Sequence, residues 1–207
     1  DKNNEKPAVQ ERTDARALRR RHFRRRLRKI ELLRVLIRYD LCPPLTTEQL
    51  EKWRTKKVYP LDEECLRWQR TDDGTDKNPY SDRCRALTDT LDLSIRNDRH
   101  ALGRALYHLA QRRGFKSNRK SDTQSDKETG RLTQAVAENQ ALFAEKGYRT
   151  VGEMLYYDEK FARAKRNKKD SYLNTVDRAM LTAEIELIFA QQRQWGNPWA
   201  SEELETQ

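Results

Sequence analysis

The stretch from Arg12 to Tyr39, RTDARALRRRHFRRRLRKIELLRVLIRY, constrains this chain more than any other. Twelve of its 28 residues are Arg or Lys and only Asp14 and Glu31 are acidic, so it carries +10, as much as the whole chain. It has no Gly or Pro and is rich in Arg, Leu and Ala. That composition predicts a single helix of about 42 Å at 1.5 Å per residue. On a helical period, Phe23, Leu27, Ile30, Ile37 and Leu41 form a narrow apolar stripe, with Leu18, Leu32 and Leu36 off it. In the first half, Arg16, Arg19, Arg20, Arg21, Arg24, Arg25, Arg26 and Arg28 point in nearly every direction. Such a helix has almost no acids for i,i+4 pairs. Its eight guanidinium groups within 13 residues repel one another unless a polyanion neutralises them. Arg, rather than Lys, suits forked contacts to phosphate. From Ile30 the stretch becomes more apolar and is expected to dock on protein. A membrane-surface helix keeps a wide apolar face apart from its basic face. Here Arg intrudes on all sides, which favours nucleic acid as the partner over membrane or a merely solvated face.

Two more basic stretches, 111–120 and 160–169, carry +5 and +6, and the other 159 residues carry −11. Positive charge is therefore concentrated, as a binding footprint would be. Hydrophobic content is only 35% against 37% charged, yet the apolar residues cluster in helical periods, and four Trp, eight Tyr and five Phe argue for a core. Cys42, Cys65 and Cys84 are widely spaced and odd in number, with no C-x-x-C and no zinc pattern with His. Reduced, partly buried thiols in a cytoplasmic protein are the expectation. No apolar run approaches the length of a membrane span. The start, DKNNEKPAVQ, reads as a polar lead-in over residues 1–11.

Cys42-Pro43-Pro44 is expected to stop the first helix. Thr46 and Gln49 have capping-box spacing, opening a short helix anchored by Trp53. Asp62 caps a second, with Leu61, Cys65 and Trp68 on one side. TDDGTDKNPYSD reads as a loop, followed by a helix or turn over 83–93. Asn97 or Asp98 can start the next helix, with Leu102, Ala105, Leu106 and Leu109 buried and Gly114 at its left-handed C′ position. His100 and His108 read as surface or packing residues. Beyond Gly114, Phe115 is interleaved with Lys116, Ser117, Asn118, Arg119 and Lys120, a combination that suits phosphate tracking and base stacking. The segment 121–130 has no apolar residue and reads as a flexible loop. A helix follows over 131–146, a capping box at Thr150 and Glu153, a basic loop over 160–169, and a last helix from about Asn174 to Gln192. No period-2 strand pattern stands out. The fold class expected is all-α: one long Arg-rich helix over 12–42, then a helical domain over 43–207.

No phosphate-binding Gly loop, HExxH, GxSxG, metal cluster or catalytic carboxylate pair occurs, so the chain reads as a binding module rather than an enzyme.

Two stretches together point to a family. RTDARALRRRHFRRRLRKIELLRVLI resembles the bridge helix of type II CRISPR-associated RNA-guided DNA endonucleases (the Cas nine family). ALGRALYHLAQRRGFKSNRK, preceded by NPYSDRCRAL, resembles the opening of the recognition lobe in their compact subtype. The resemblance covers about residues 10–195. It implies a segment that begins just after the first nuclease motif and holds no catalytic residue. Mg and the nuclease domains would belong to the parent, with no cofactor or metal in this segment. It further implies that Arg16, Arg19, Arg20, Arg24, Arg25 and Arg28 contact guide phosphates. Arg112, Arg113, Lys116, Ser117, Asn118 and Arg119 would meet the guide scaffold or seed. Implied partners are guide RNA (crRNA with tracrRNA) and, in the parent, target DNA. Two alternatives remain: an autonomous Arg-rich RNA-binding protein, and a docking target for a phage anti-CRISPR inhibitor.

Overall fold

In the computed structural model, residues 8–60, 62–89, 91–112, 114–115, 125–163, 165, 167 and 171–197 are described. Helix α1 (Ala8–Arg38) is the long Arg-rich element. It starts before Arg12 and stops before the Pro pair, because the chain turns at Asp40. Asp40 is left-handed at φ 54°; Leu41 N donates to Leu36 O at 2.8 Å and Asp40 N to Ile37 O at 3.1 Å. These are the two bonds of a Schellman stop, and Leu36 and Leu41 supply its usual apolar contact, both fully buried. Arg99 on a later helix grips the Asp40 carboxylate at 2.7 Å.

The buried line of α1 is Ile30, Leu33 and Leu36, continued by Leu41. This corrects the stripe expected from sequence. Leu27 and Ile37 are half-buried, and Phe23 is 44% exposed. The contact follows an inclined i, i+3, i+6 row, the ridge direction of helix packing. Phe23 lies in the half of α1 that bears almost no buried side chain.

Helix α2 (Thr47–Lys56) opens with the reciprocal Thr46–Gln49 capping box and buries Leu50 and Trp53. Helix α3 (Glu63–Gln69) is capped by Asp62 and buries Cys65 and Trp68, as their spacing predicts; Leu61 lies outside the described residues. Helix α4 (Pro79–Arg85) begins inside the stretch expected to be loop, because Asn78 accepts from Tyr80 N and Pro79 fills the first helical position. Helix α5 (Arg96–Ala110) buries Leu102, Ala105, Leu106 and Leu109 as expected, and His100 and His108 as well. Helix α6 (Ser125–Lys146) begins earlier than expected: 125–130, assigned to a loop on composition, are helical, and 121–124 lie outside the described residues. Helix α7 (Val151–Tyr157) is capped by Thr150, but the Glu153 carboxylate accepts from Arg149 N rather than Thr150 N. A 3-10 turn (Glu159–Phe161) leads on to α8 (Arg178–Gln194), capped by Asp177. Among the described residues only isolated bridges, Arg70 to Asp76 and Phe115 to Asp177, are β-like, so the chain is all-α.

One backbone approach sets the position of α1. A Cβ built on Gly103 would sit 1.6 Å from the Leu41 carbonyl oxygen. The turn after α1 therefore lies directly on α5 where only a glycine admits it. Gly130, within α6, has nothing within 4 Å of such a Cβ. Gly103→Ala should lower stability by about 1–3 kcal/mol through overpacking. Gly130→Ala should raise it by about 0.5–1 kcal/mol through helix propensity. Urea denaturation of both variants checks the pair. An unchanged midpoint for Gly103→Ala would contradict the close crossing.

Candidate nucleic-acid interface

Arg16, Arg19, Arg20, Arg24, Arg25 and Arg28 are all exposed on α1. Among the described residues, no carboxylate pairs with Arg16, Arg19, Arg20, Arg24 or Arg25. The contrast lies further along the same helix, where Arg34 bonds Glu31 at 2.7 Å and Glu51 at 3.2 Å.

α1 runs antiparallel to α5. Leu41 rests on Gly103, and Lys29 Nζ lies 5.7 Å from the Tyr107 ring. Arg25, Leu27 and Arg28 share a cleft of about 900 Å³ with Leu109, Ala110 and Gln111. The Arg-rich half of α1 therefore meets the carboxyl end of α5, where the second basic stretch begins. A helix C-terminus favours cations, and Arg112 sits just beyond it.

Arg112 is held in place. Its Nη2 is 2.9 Å from His108 Nε2, and its guanidinium lies 5.6 Å over the Tyr80 ring. Tyr80 stands edge-on to His108 at 4.7 Å. Behind them is a fully buried ion pair. Arg83 Nε donates to Glu184 Oε1 at 2.6 Å, Arg83 Nη2 donates to Oε2, and Gly152 N also donates to Oε2 at 3.0 Å. Arg83 and Glu184 are 1% and 0% exposed, so each charge depends on the other. Arg83 Nη1 approaches His108 Nδ1 at 3.4 Å.

Gly114 is left-handed at φ 64°, as expected. It is not the helix stop, because α5 ends at Ala110 and Arg112 N already donates to Leu109 O at 2.8 Å. Its task is close approach: a Cβ there would lie 2.4 Å from the Asp177 carbonyl oxygen. Phe115 N donates to Val176 O at 2.7 Å, and Arg178 N to Phe115 O at 3.1 Å. The basic segment therefore leaves from a fixed point at the start of α8.

The third basic stretch behaves differently where it is described. Lys160 Nζ donates to Asn139 Oδ1, and Lys165 Nζ to the Leu155 and Tyr156 carbonyls that end α7. Tyr80 Oη donates to Lys165 O at 2.9 Å. These two lysines brace the fold, which corrects their inclusion in a binding footprint.

Burial pushes the Cys42, Cys65 and Cys84 thiols up to about 12, so all three are free and protonated. Burial, followed by repulsion from Arg96, pushes His100 down to about 4. Among the described residues no group of three or more His, Cys, Asp or Glu could hold a metal. None of the described helices is long and apolar enough to cross a membrane.

No family model matches the chain. Over 127 residues it is 35% identical to the CRISPR-associated endonuclease Cas9 of Campylobacter jejuni, an alignment spanning 58% of this chain and 12% of that relative. Two crystal structures of Campylobacter jejuni Cas9 in complex with sgRNA and target DNA superpose on nearly all of it. Their TM-scores are 0.66 and 0.67, at 26% and 25% identity, covering 95% and 99% of this chain and 24% and 25% of theirs. The chain is thus similar, along nearly all of its length, to a segment of Cas9 that makes up about a quarter of that protein. A cryo-EM structure of an St1Cas9–sgRNA–target DNA–AcrIIA6 assembly shares the fold, with TM-score 0.63 at 20% identity over 97% of this chain and 20% of that one.

The six α1 arginines named from the bridge-helix likeness lie on exposed surface; of these, Arg25 and Arg28 line the cleft at the carboxyl end of α5, just beyond which Arg112 stands. Arg113, Lys116, Ser117, Asn118 and Arg119 lie outside the described residues. Sequence reasoning missed Tyr80 and His108, although the i,i+4 spacing of His108 and Arg112 places them on one face. Gly114→Val should strain a left-handed position and force a collision with Asp177, lowering stability by about 1–3 kcal/mol. Thermal melts check this; an unchanged midpoint would mean that the position tolerates a side chain.

Proposed function

We propose that the chain is the guide-RNA-binding bridge helix and opening recognition-lobe segment of an RNA-guided CRISPR DNA endonuclease. Residues 12–42 form the bridge helix and 43–207 the helical recognition domain. The observation that carries this reading is the row of exposed arginines on α1, of which Arg16, Arg19, Arg20, Arg24 and Arg25 have no carboxylate partner among the described residues. In isolation that row is self-repelling, and a phosphate backbone relieves the repulsion. The Campylobacter jejuni Cas9 structures that it resembles hold sgRNA and target DNA, which supports the same partners here.

Arg16, Arg19, Arg20, Arg24, Arg25 and Arg28 clamp guide phosphates by forked contacts. Arg112 contacts the backbone from the end of α5, and the motif residues Arg113, Lys116, Ser117, Asn118 and Arg119 continue that track. Backbone contacts of this kind fix orientation and carry no sequence information; in this family base pairing by the guide supplies it. DNA cleavage, with its Mg, belongs to nuclease domains elsewhere in the parent protein. The setting is the bacterial cytoplasm.

If about eight arginines contact single-strand phosphates, log K against log salt should slope at about −6, at about −0.7 per contact. Arg20→Ala or Arg24→Ala should each make it shallower by about 0.7 without altering sequence preference. Arg→Lys should keep the slope and weaken affinity, because charge is retained and the fork is lost. Titration against guide RNA at several salt concentrations gives these slopes. An unchanged slope in both Ala variants would remove the phosphate clamp from α1.

A further inference from the structure

We propose that the cleft between α3, the 71–77 turn and the start of α5 is a nucleobase pocket that takes one unstacked base of a bound RNA. RNA as the source of the base rests on the reading above; the pocket itself does not.

The cleft holds about 620 Å³, within the usual range of ligand pockets, roughly 300–1,000 Å³. Asn97, His100 and Arg104 line it from α5, and Trp68 and Pro43 supply apolar wall. Trp68 Nε1 donates to the His100 carbonyl at 3.0 Å. That bond ties α3 to α5 and spends the only donor of the indole, so its ring carbons are what it offers the cleft. Two polar groups remain unspent. His100 is 8% exposed, and its Nε2 has no hydrogen-bond partner among the described residues. A buried nitrogen left in that state calls for a reason, and a ligand that supplies the bond is one. The exposed Asn97 amide likewise makes no hydrogen bond among the described residues.

Charge separates this cleft from the arginine face of α1. Arg104 bonds Asp82 at 2.7 Å, and Arg67 and Arg96 each lie 3.5 Å from Glu63 and Glu64 respectively. Lys77 Nζ donates to the Arg67 carbonyl at 2.7 Å, and Asp72 lines the same cleft. The cations Arg67, Lys77, Arg96 and Arg104 are thus balanced by Glu63, Glu64, Asp72 and Asp82, and a phosphate gains no net attraction. His100 is neutral near pH 7, because burial and then Arg96 push it down to about 4. A neutral imidazole supplies one donor and one acceptor, and an Asn amide supplies both kinds as well. An uncharged, flat ligand with donors and acceptors side by side on one edge matches them, which is the description of a nucleobase. Single-stranded RNA presents such edges when a base leaves its stack. The cleft shares no lining residue with the one beside α1, so a base here and phosphates there are held by separate groups.

The test titrates the 207-residue chain at neutral pH with adenosine, cytidine, guanosine and uridine, and separately with ribose 5-phosphate. It follows the ring NMR signals of the three histidines, assigned by replacing each in turn with Gln. At least one nucleoside should shift the His100 signal saturably, and ribose 5-phosphate should not. Asn97→Ala, at an exposed position, should melt as the parent does and weaken that nucleoside about fivefold. It should also weaken binding of a labelled single-stranded RNA several-fold, with the salt slope unchanged because no charge is lost. A His100 shift as large with ribose 5-phosphate as with any nucleoside, or no shift with any of them, would overturn the pocket. Neither result touches the phosphate clamp on α1, which stands or falls on its salt slopes. Nucleoside binding together with unchanged RNA affinity in Asn97→Ala would overturn RNA as the source of the base.

Discussion

The fold turns on one crossing, where the Leu41 carbonyl rests on the bare Cα of Gly103. Hard-sphere contact decides it: any side chain at 103 would drive α1 and α5 apart. The Schellman turn at Asp40 presents that carbonyl, and the Arg99–Asp40 ion pair holds the turn. With the two helices joined there and antiparallel, Ile30, Leu33 and Leu36 enter the core. The arginine-rich half of α1 is carried past the carboxyl end of α5.

Charge is handled in two ways along this axis. Inside, cations are paired: Arg83 with Glu184, Arg104 with Asp82, Arg99 with Asp40. Burying a guanidinium without such a partner would cost several kcal/mol, on the order of 3–5. Outside, along α1, Arg16, Arg19, Arg20, Arg24 and Arg25 have no carboxylate partner among the described residues. With only Asp14 and Glu31 acidic between Arg12 and Tyr39, the positive field of that helix is concentrated as a polyanion would require.

Much of this was legible in the sequence. The long helix, the capping box at Thr46, the caps at Asp62 and Thr150 and the buried face of α5 all follow from local rules of periodicity and hydrogen bonding. Gly114 is left-handed as its glycine suggests, but for a reason the sequence did not show, its close approach to Asp177. The departures have physical causes. The buried row of α1 follows an inclined ridge that is set by its partner helix, so Leu36 is buried and Phe23 is not. The start of α6 at Ser125 runs against the polar composition that suggested a loop. Lys160 and Lys165 look like a basic patch in sequence, but the carbonyls they satisfy belong to the end of α7 and their amide partner to α6. Gly103, Tyr80 and His108 gain their meaning only from what faces them across the fold.

The central claim is that α1 is one helix with two environments, docked from Ile30 onward and reserved for RNA before it. Hydrogen exchange, followed by mass spectrometry of the chain with and without guide RNA, tests that division directly. Amides over 30–41 should be protected in the free chain. Those over 12–28 should exchange quickly and become protected only when RNA is added. Protection over 12–28 before RNA is present, or no change there on adding it, would contradict the account.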